Sequence, residues 1–201
     1  SSSDLPPLDV TLSNLYQSEE RLGELRFVLN SQGTVVTVDN ISGELAKLRV
    51  RTEKPSQLVW HRGAEAFTEL QVNFDFDDLG NTLEYFDYQR IVESVDGAFE
   101  LDVRWPDAPQ DFSLSKAQGS MQVNIGRGNF LEAPAGATGA LRVVSILNLA
   151  DIVQRLSLSN MFESGIPFDS VQGEIHVGDG MLKVPHMDVQ GGSRFQFSGL
   201  A

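Results

Sequence analysis

Three histidines are the side chains of this sequence that could most readily bind a metal ion or transfer a proton. No two of His61, His176 and His186 stand four residues apart, and the chain contains no cysteine. Protein zinc sites are built mainly from closely spaced His and Cys ligands. We therefore expect three ordinary strand histidines and no metal site.

An acidic run, Asp75-Phe-Asp-Asp-Leu-Gly80, has the beginning of a calcium-binding loop. Such a loop needs an oxygen ligand at its fifth position and a bidentate Glu at its twelfth. Leu79 and Phe86 occupy those two positions. The run therefore predicts a helix start instead, with Asp77 or Asp78 capping the first turn.

Signatures of catalysis are also missing from the sequence. It contains no Gly-x-Ser-x-Gly nucleophile motif. Gly126-Arg-Gly128 lacks the strand-to-helix context of a phosphate-binding loop, so we interpret it as a hairpin turn. We expect no enzymatic activity and no cofactor; a carbohydrate hydrolase with paired carboxylates ranks last among the alternatives.

The charge of the chain excludes one class of partner. Acidic residues outnumber basic ones 28 to 15, which gives a formal net charge of −13. Nucleic-acid binding requires clustered Lys and Arg, so no nucleic acid is expected, and general docking on anionic lipid headgroups is disfavoured. The sequence has no run of 18 apolar residues, its polar start is no signal peptide, and we expect a segment of a longer protein.

Apolar and polar residues alternate along much of the chain, as in strands with one dry face. The pattern is clearest over 95–105, 70–77 and 171–177. Weaker copies cover 8–12, 24–30, 33–38, 45–51, 57–61, 111–116, 121–125, 181–189 and 194–200. Turn signals follow at 31–33, 39–43, 126–128 and 178–180. We predict a mainly β, curved antiparallel sheet forming a single domain over residues 1–201.

Two segments predict short helices inserted among the strands. The first covers residues 78–87, and the second covers residues 139–163. Apolar residues recur at helical spacing in the second segment, where we expect a cap over one end of the sheet. The predicted cap residues are Leu141, Val144, Leu147, Ile152 and Leu156.

A short repeat, Gly-x-apolar-x-apolar, begins at Gly23, Gly97, Gly119 and Gly173. Its spacing is compatible with two successive units, each a strand pair followed by a helix-bearing insert.

The apolar faces of the strands have two possible interpretations. Two sheets could bury these faces against each other in a closed sandwich. Alternatively, one curved sheet could keep its dry face partly open as a trough for acyl chains. Alternation along a sequence does not separate the two.

The second half of the chain resembles a known protein family. Gly128-Asn-Phe-Leu-Glu-Ala-Pro-Ala-Gly-Ala-Thr-Gly139 and Leu141-Arg-Val-Val-Ser-Ile-Leu-Asn-Leu149 look like the C-terminal AsmA-like region of YhdP proteins. The order of the segments 154–158, 165–169 and 171–173 is similar to that region as well. The resemblance covers about residues 65–201, and the sequence departs from it at Ser157-Leu-Ser159-Asn160.

The resemblance implies a protein of the Gram-negative envelope whose folded part lies in the periplasm, tethered to the inner membrane in the full-length protein. It further implies a β-groove that binds phospholipid acyl chains, moves phospholipid between the two membranes and maintains the outer-membrane permeability barrier. The alternative is a scaffold or assembly factor with a closed core, no lipid and an envelope protein partner. The predicted groove residues are Val72, Phe74, Phe76, Phe99, Leu101, Val103, Val123, Ile125, Ile175 and Val177.

A charged substitution on this face tests the open groove against the closed core. We expect Phe99→Asp or Leu101→Asp to abolish lipid loading while the domain stays folded, because an open face tolerates a solvated charge. Lipid extraction and circular dichroism on each variant measure the two effects. Global unfolding would favour the closed core.

Overall fold

The computed structural model describes residues 5–17, 19–86, 88–131, 165–191 and 195–200. These residues form fourteen β-strands, one α-helix and one 3₁₀ helix. The predicted mainly β fold is confirmed, and all strand pairs with a defined register are antiparallel. The elements are β1 Leu5–Gln17, β2 Glu20–Gln32, β3 Val35–Leu45, β4 Leu48–Val50, β5 Gln57–His61, β6 Phe67–Phe76, α1 Leu79–Tyr85, β7 Val92–Ser94, β8 Gly97–Pro106, the 3₁₀ helix Pro109–Asp111, β9 Gln118–Ile125, β10 Gly128–Phe130, β11 Ile166–Phe168, β12 Ser170–Gly178, β13 Met181–Gln190 and β14 Phe195–Leu200.

Eleven of the strands belong to one sheet. Its order is β1-β2-β3-β4-β6-β8-β9-β12-β13-β14, and β5 pairs with both β3 and β6. The remaining three strands form a small sheet in the order β11-β10-β7. Most neighbours in the large sheet are also close in the sequence, as expected of an antiparallel meander.

The chain divides into two compact units. The first comprises Ser1–Asp75, Phe99–Met121 and Val177–Gly180. The second comprises Phe76–Ala98, Gln122–His176 and Met181–Ala201. Our expectation of a single domain over the whole chain stays a prediction.

In the first unit, the strand between β3 and β6 is interrupted. β5 pairs with β3 over Val35–Val38, whereas β4 pairs with Glu44 and Leu45 of the same strand. Residues 51–56, between β4 and β5, belong to neither strand and pack on the polar side of β6. Asn73, which alternation places on an exposed polar face, is therefore buried and donates from Nδ2 to the Pro55 carbonyl at 2.9 Å.

Two turn predictions had different outcomes. Asp179 and Gly180 both have positive φ, 55° and 71°, as a two-residue hairpin turn between β12 and β13 requires. The turn predicted at 39–43 is wrong, because β3 runs through it. A bulge in the β2–β3 register, with Asn40 at φ 53°, accommodates these turn-forming residues within the strand.

Three further predictions need correction. Residues 111–116 form no strand; the backbone turns there, and Lys116 and Ala117 donate to the Ser113 carbonyl. Gly126–Gly128 joins β9 to β10 without making a hairpin, because β10 pairs with β7 and β11. Val95 lies outside β8 and is 61% exposed.

Helix α1 of the second unit confirms the first predicted helix. Asp78 is its N-cap and accepts a hydrogen bond from the Gly80 backbone N–H at 2.9 Å. The second predicted helical segment, 139–163, lies outside the described residues, as do all five predicted cap residues.

Two repeat glycines sit where strands approach closely. Gly119 in β9 has φ 150°, and a Cβ there would lie 2.1 Å from the Asp102 carbonyl oxygen. A Cβ on Gly97 would lie 2.1 Å from the Phe76 ring. These glycines are therefore required by backbone and core contacts within each unit.

We expect Gly119→Ala to lower the free energy of unfolding by roughly 1–3 kcal/mol, because the new methyl group meets backbone that cannot rotate away. Urea unfolding followed by circular dichroism measures the change. Gly178→Ala is the matched control: a Cβ there meets nothing within 4 Å. Equal stability of the two variants would contradict the close approach at Gly119.

Candidate functional site

An apolar face on the first unit is the most extensive candidate for a binding surface. Directly paired residues of antiparallel strands point to the same side of a sheet. Leu8 pairs with Leu29, Val10 with Phe27 and Leu12 with Leu25. The same side continues through β3 and β5, and we call it the open face. Its residues are Leu8, Val10, Leu12, Leu25, Phe27, Leu29, Val36, Val38, Leu58 and Trp60.

None of these ten side chains is fully buried. Leu8 and Leu12 are 46% and 38% exposed, and the other eight are half-buried. A closed sandwich would bury most of them, and full burial of one large aliphatic side chain contributes about 1.5–3 kcal/mol. The open face thus leaves apolar surface available for a ligand.

The opposite side of the same strands is mainly polar, although Val28, Val35 and Val59 also lie on it. Asp39 accepts hydrogen bonds from Asn30 Nδ2 at 3.1 Å and from Thr37 Oγ1 at 2.8 Å. Arg26 pairs with Thr11 across β1 and β2, and both side chains are exposed. The two sides of these strands therefore differ, and the open face is the more apolar of the two.

One part of the apolar side is covered. Val103, Trp105 and Ala117 form a buried cluster, and Leu58, Leu70, Leu101 and Val177 pack against it. Phe112 lies edge-on to Trp105 with ring centroids 5.2 Å apart, and Trp105 Nε1 donates to the Ala108 carbonyl at 3.0 Å. Residues 108–117 thus close the apolar side over Trp105.

Trp60 adds one polar group to the open face. Its Nε1 is buried, and within the described ranges it has no hydrogen-bond acceptor. A buried donor without an acceptor is energetically costly, by about 1–3 kcal/mol.

The second unit has a closed core instead. Phe76 is 1% exposed, and the Phe130 and Phe168 rings pack with centroids 4.6 Å apart. Other buried side chains in this unit are Ile91, Val92, Val123, Ile125, Val171, Val184, Met187 and Val189. Outside this core, Phe86, Tyr88 and Val95 of the same unit are 47%, 45% and 61% exposed.

The ten predicted groove residues therefore occupy different environments. Five are buried: Val72, Phe76, Val103, Val123 and Ile125. Five are half-buried: Phe74, Phe99, Leu101, Ile175 and Val177. Leu101, Val103 and Val177 meet in the cluster around Trp105. Their contact with lipid stays a prediction.

Sequence reasoning missed the residues of the open face. Leu8-x-Val-x-Leu12 and Leu25-x-Phe-x-Leu29 carry the same alternation as the predicted groove strands. Their exposure depends on what packs against them, and alternation does not encode that.

Arg90 is the centre of a polar cluster in the second unit. Its Nη2 lies 2.5 Å from Asp78 Oδ2, and its Nη1 lies 3.2 Å from Glu84 Oε2. Burial opposes the charge, but hydrogen bonds and Coulomb attraction to Asp78 and Glu84 raise the pKa of Arg90 above its ordinary value. Since Asp78 also accepts from the Ser94 backbone N–H at 3.1 Å, the cluster ties α1 to β7.

The histidines lie in separate strands. His61 stacks on Phe67 at a centroid distance of 4.1 Å, and His176 Nε2 lies 3.2 Å from Glu174 Oε2. In the described part of the chain, no three His, Asp or Glu side chains form a group that could hold a metal ion. Over the same residues, no helix is long and apolar enough to cross a membrane.

A search of protein families matched this chain over its whole length. The model of the family described as YhdP protein matches residues 1–201. No curated protein and no solved structure matches the chain.

Asp78→Ala should lower the free energy of unfolding by about 2–3 kcal/mol, because it removes the helix cap and leaves Arg90 without its best-buried partner. Urea unfolding measures the loss. Glu84→Ala removes the more exposed partner of Arg90 and should cost less than about 1 kcal/mol. Similar losses in both variants would show that the cap adds nothing.

Proposed function

Because the chain belongs to the YhdP protein family, we propose that it is a lipid-binding module of the bacterial envelope. In this proposal it lies in the periplasm, and it takes part in moving phospholipid between the inner and outer membranes and in maintaining the outer-membrane barrier. Its ligand is the acyl part of a phospholipid. One observation carries the proposal: the ten apolar side chains of the open face are all half-buried or exposed.

The open face is suited to acyl chains because their binding needs burial alone. Each methylene group removed from water contributes about 0.8 kcal/mol, without any directional contact. The four strands β1, β2, β3 and β5 are adjacent, which makes the face about 14 Å wide at the usual strand spacing. An acyl chain can therefore lie across several rows of apolar side chains.

A further feature supports an apolar ligand on one side of these strands. The polar side of the same strands carries Asp39, Asn30 and Thr37, so it remains solvated when the open face is filled. In this proposal the module binds lipid without catalysis and without a cofactor.

The test compares two neighbouring residues of β1 that point to opposite sides. Leu12 lies on the open face and Thr11 on the polar side, and both are exposed. We expect Leu12→Asp to lower the lipid retained by the protein several-fold, because acyl chains would have to desolvate a carboxylate. Thr11→Asp adds the same charge and should retain lipid as the unmodified chain does.

Native mass spectrometry with lipid extraction, after expression in a bacterial periplasm, measures the retained lipid. Leu12 separates binding from folding better than Leu101, which packs against the buried cluster around Trp105. Unmodified protein free of lipid, with a specific protein partner captured by crosslinking, would favour the scaffold alternative. Equal lipid in both variants would place the ligand elsewhere.

A further inference from the structure

The apolar side of the first unit continues beyond the open face, beneath residues 108–117. Leu58 of the open face pairs with Val38 of β3 and with Leu70 of β6, so Leu70 points to the same side of the sheet. Both leucines pack against the buried cluster around Trp105. The open face and this cluster are therefore parts of one apolar side.

Residues 108–117, which we call the strap, cover the cluster without joining the sheet. They form the 3₁₀ helix and a turn, and none of them belongs to a β-strand. The backbone N–H groups of Asp111, Lys116 and Ala117 donate to carbonyl groups within the strap. The strap therefore lacks the backbone ladder that fixes the neighbouring strands.

The strap buries little apolar surface of its own. Its two large apolar side chains, Phe112 and Leu114, are 54% and 46% exposed. The side chains that it buries are those of Ala108 and Ala117, which are small. Because burial stabilises in proportion to the apolar area removed from water, the strap is held less firmly than the cluster beneath it.

Two contacts with a single side chain hold the strap down. The Phe112 ring lies edge-on to the Trp105 ring, with centroids 5.2 Å apart. Trp105 Nε1 donates to the Ala108 carbonyl at 3.0 Å. Lifting the strap breaks these two contacts and leaves the strands in place.

We propose that the surface beneath the strap is a second acyl-chain site, which opens when the strap lifts from Trp105. The proposal rests on the function proposed above and adds where a bound chain continues beyond the open face. Trp105 and Val103 are 3% and 4% exposed beneath the closed strap. An acyl chain that replaces the strap buries them again, so the ligand binds the open form preferentially. Leu101 and Val177, two of the predicted groove residues, pack against the same cluster.

A disulfide bond can hold the strap closed. A Cβ at Gly180, in the turn between β12 and β13, would lie 3.9 Å from the Ser115 Cβ of the strap. Disulfide-bonded cysteines have Cβ atoms about 3.5–4.5 Å apart. The chain contains no cysteine, so Ser115→Cys/Gly180→Cys introduces a single pair of thiols. The reduced form of this variant is the matched control, because it carries the same substitutions and the same backbone at Gly180, where φ is 71°.

The experiment measures quenching of tryptophan fluorescence by dibromostearate, an acyl chain whose bromine atoms quench tryptophan on contact. The chain has two tryptophans, so Trp60→Phe leaves Trp105 as the single reporter. In this background we expect dibromostearate to quench Trp105 when the strap is free. The disulfide should weaken this binding roughly tenfold or more, because it removes the open form. In the chain that retains Trp60, Trp60 should be quenched with the disulfide oxidised or reduced, because the open face stays accessible.

Phe112→Ala tests the strap without a disulfide. Removal of the ring that contacts Trp105 should favour the open form and raise the affinity for dibromostearate several-fold. Leu114→Ala is its control, because it removes a similarly exposed side chain from the same strap and leaves the Phe112–Trp105 contact in place. An affinity that is the same in both variants would contradict the proposed opening.

The remaining outcomes separate the possible failures. Equal quenching of Trp105 in the oxidised and reduced forms would overturn the opening of the strap. Quenching of Trp60 alone would overturn the second site and leave lipid binding by the open face in place. If neither tryptophan of the unmodified chain is quenched, the proposed function fails together with this site.

Discussion

The antiparallel register of β1, β2 and β3 determines which side chains share a face, and the candidate site depends on it. Leu12 faces Leu25 and Leu8 faces Leu29 because the backbone ladder pairs these residues. A slip by one residue would move Thr11 and Arg26 to the apolar side. Among the described side chains of β1, β2 and β3, none in the paired rows is fully buried, and the backbone ladder fixes which of them share a face.

The same alternation leads to two different results in the two units. In the second unit, Phe76, Phe130 and Phe168 are buried in a closed core whose stability comes from their removal from water. In the first unit, residues 108–117 cover the apolar side around Trp105, and Ala46, Val50 and Val72 are buried elsewhere. The open face therefore retains exposed apolar surface. Large exposed apolar patches on proteins usually mark binding sites.

Polar chemistry in the described residues mostly serves the architecture. Asp78 caps α1 and pairs with Arg90, and Asp39 accepts hydrogen bonds from three neighbouring side chains. Asn73 donates a hydrogen bond to Pro55 in the segment between β4 and β5.

Much of this architecture could be read from the residues alone. Period-two alternation predicted strands within β1 to β6, Asp78 was a predicted cap of α1, and Asp179-Gly180 predicted a hairpin, because each depends on local backbone preference. The turn predicted at 39–43 and the strand predicted at 111–116 were wrong, because strand pairing and the packing over Trp105 outweighed local backbone preference. Only the tertiary structure decided that Phe76 is core while Leu8 and Leu12 stay exposed. Exposure and proximity arise from which distant segments pack together, and no single stretch of sequence encodes that.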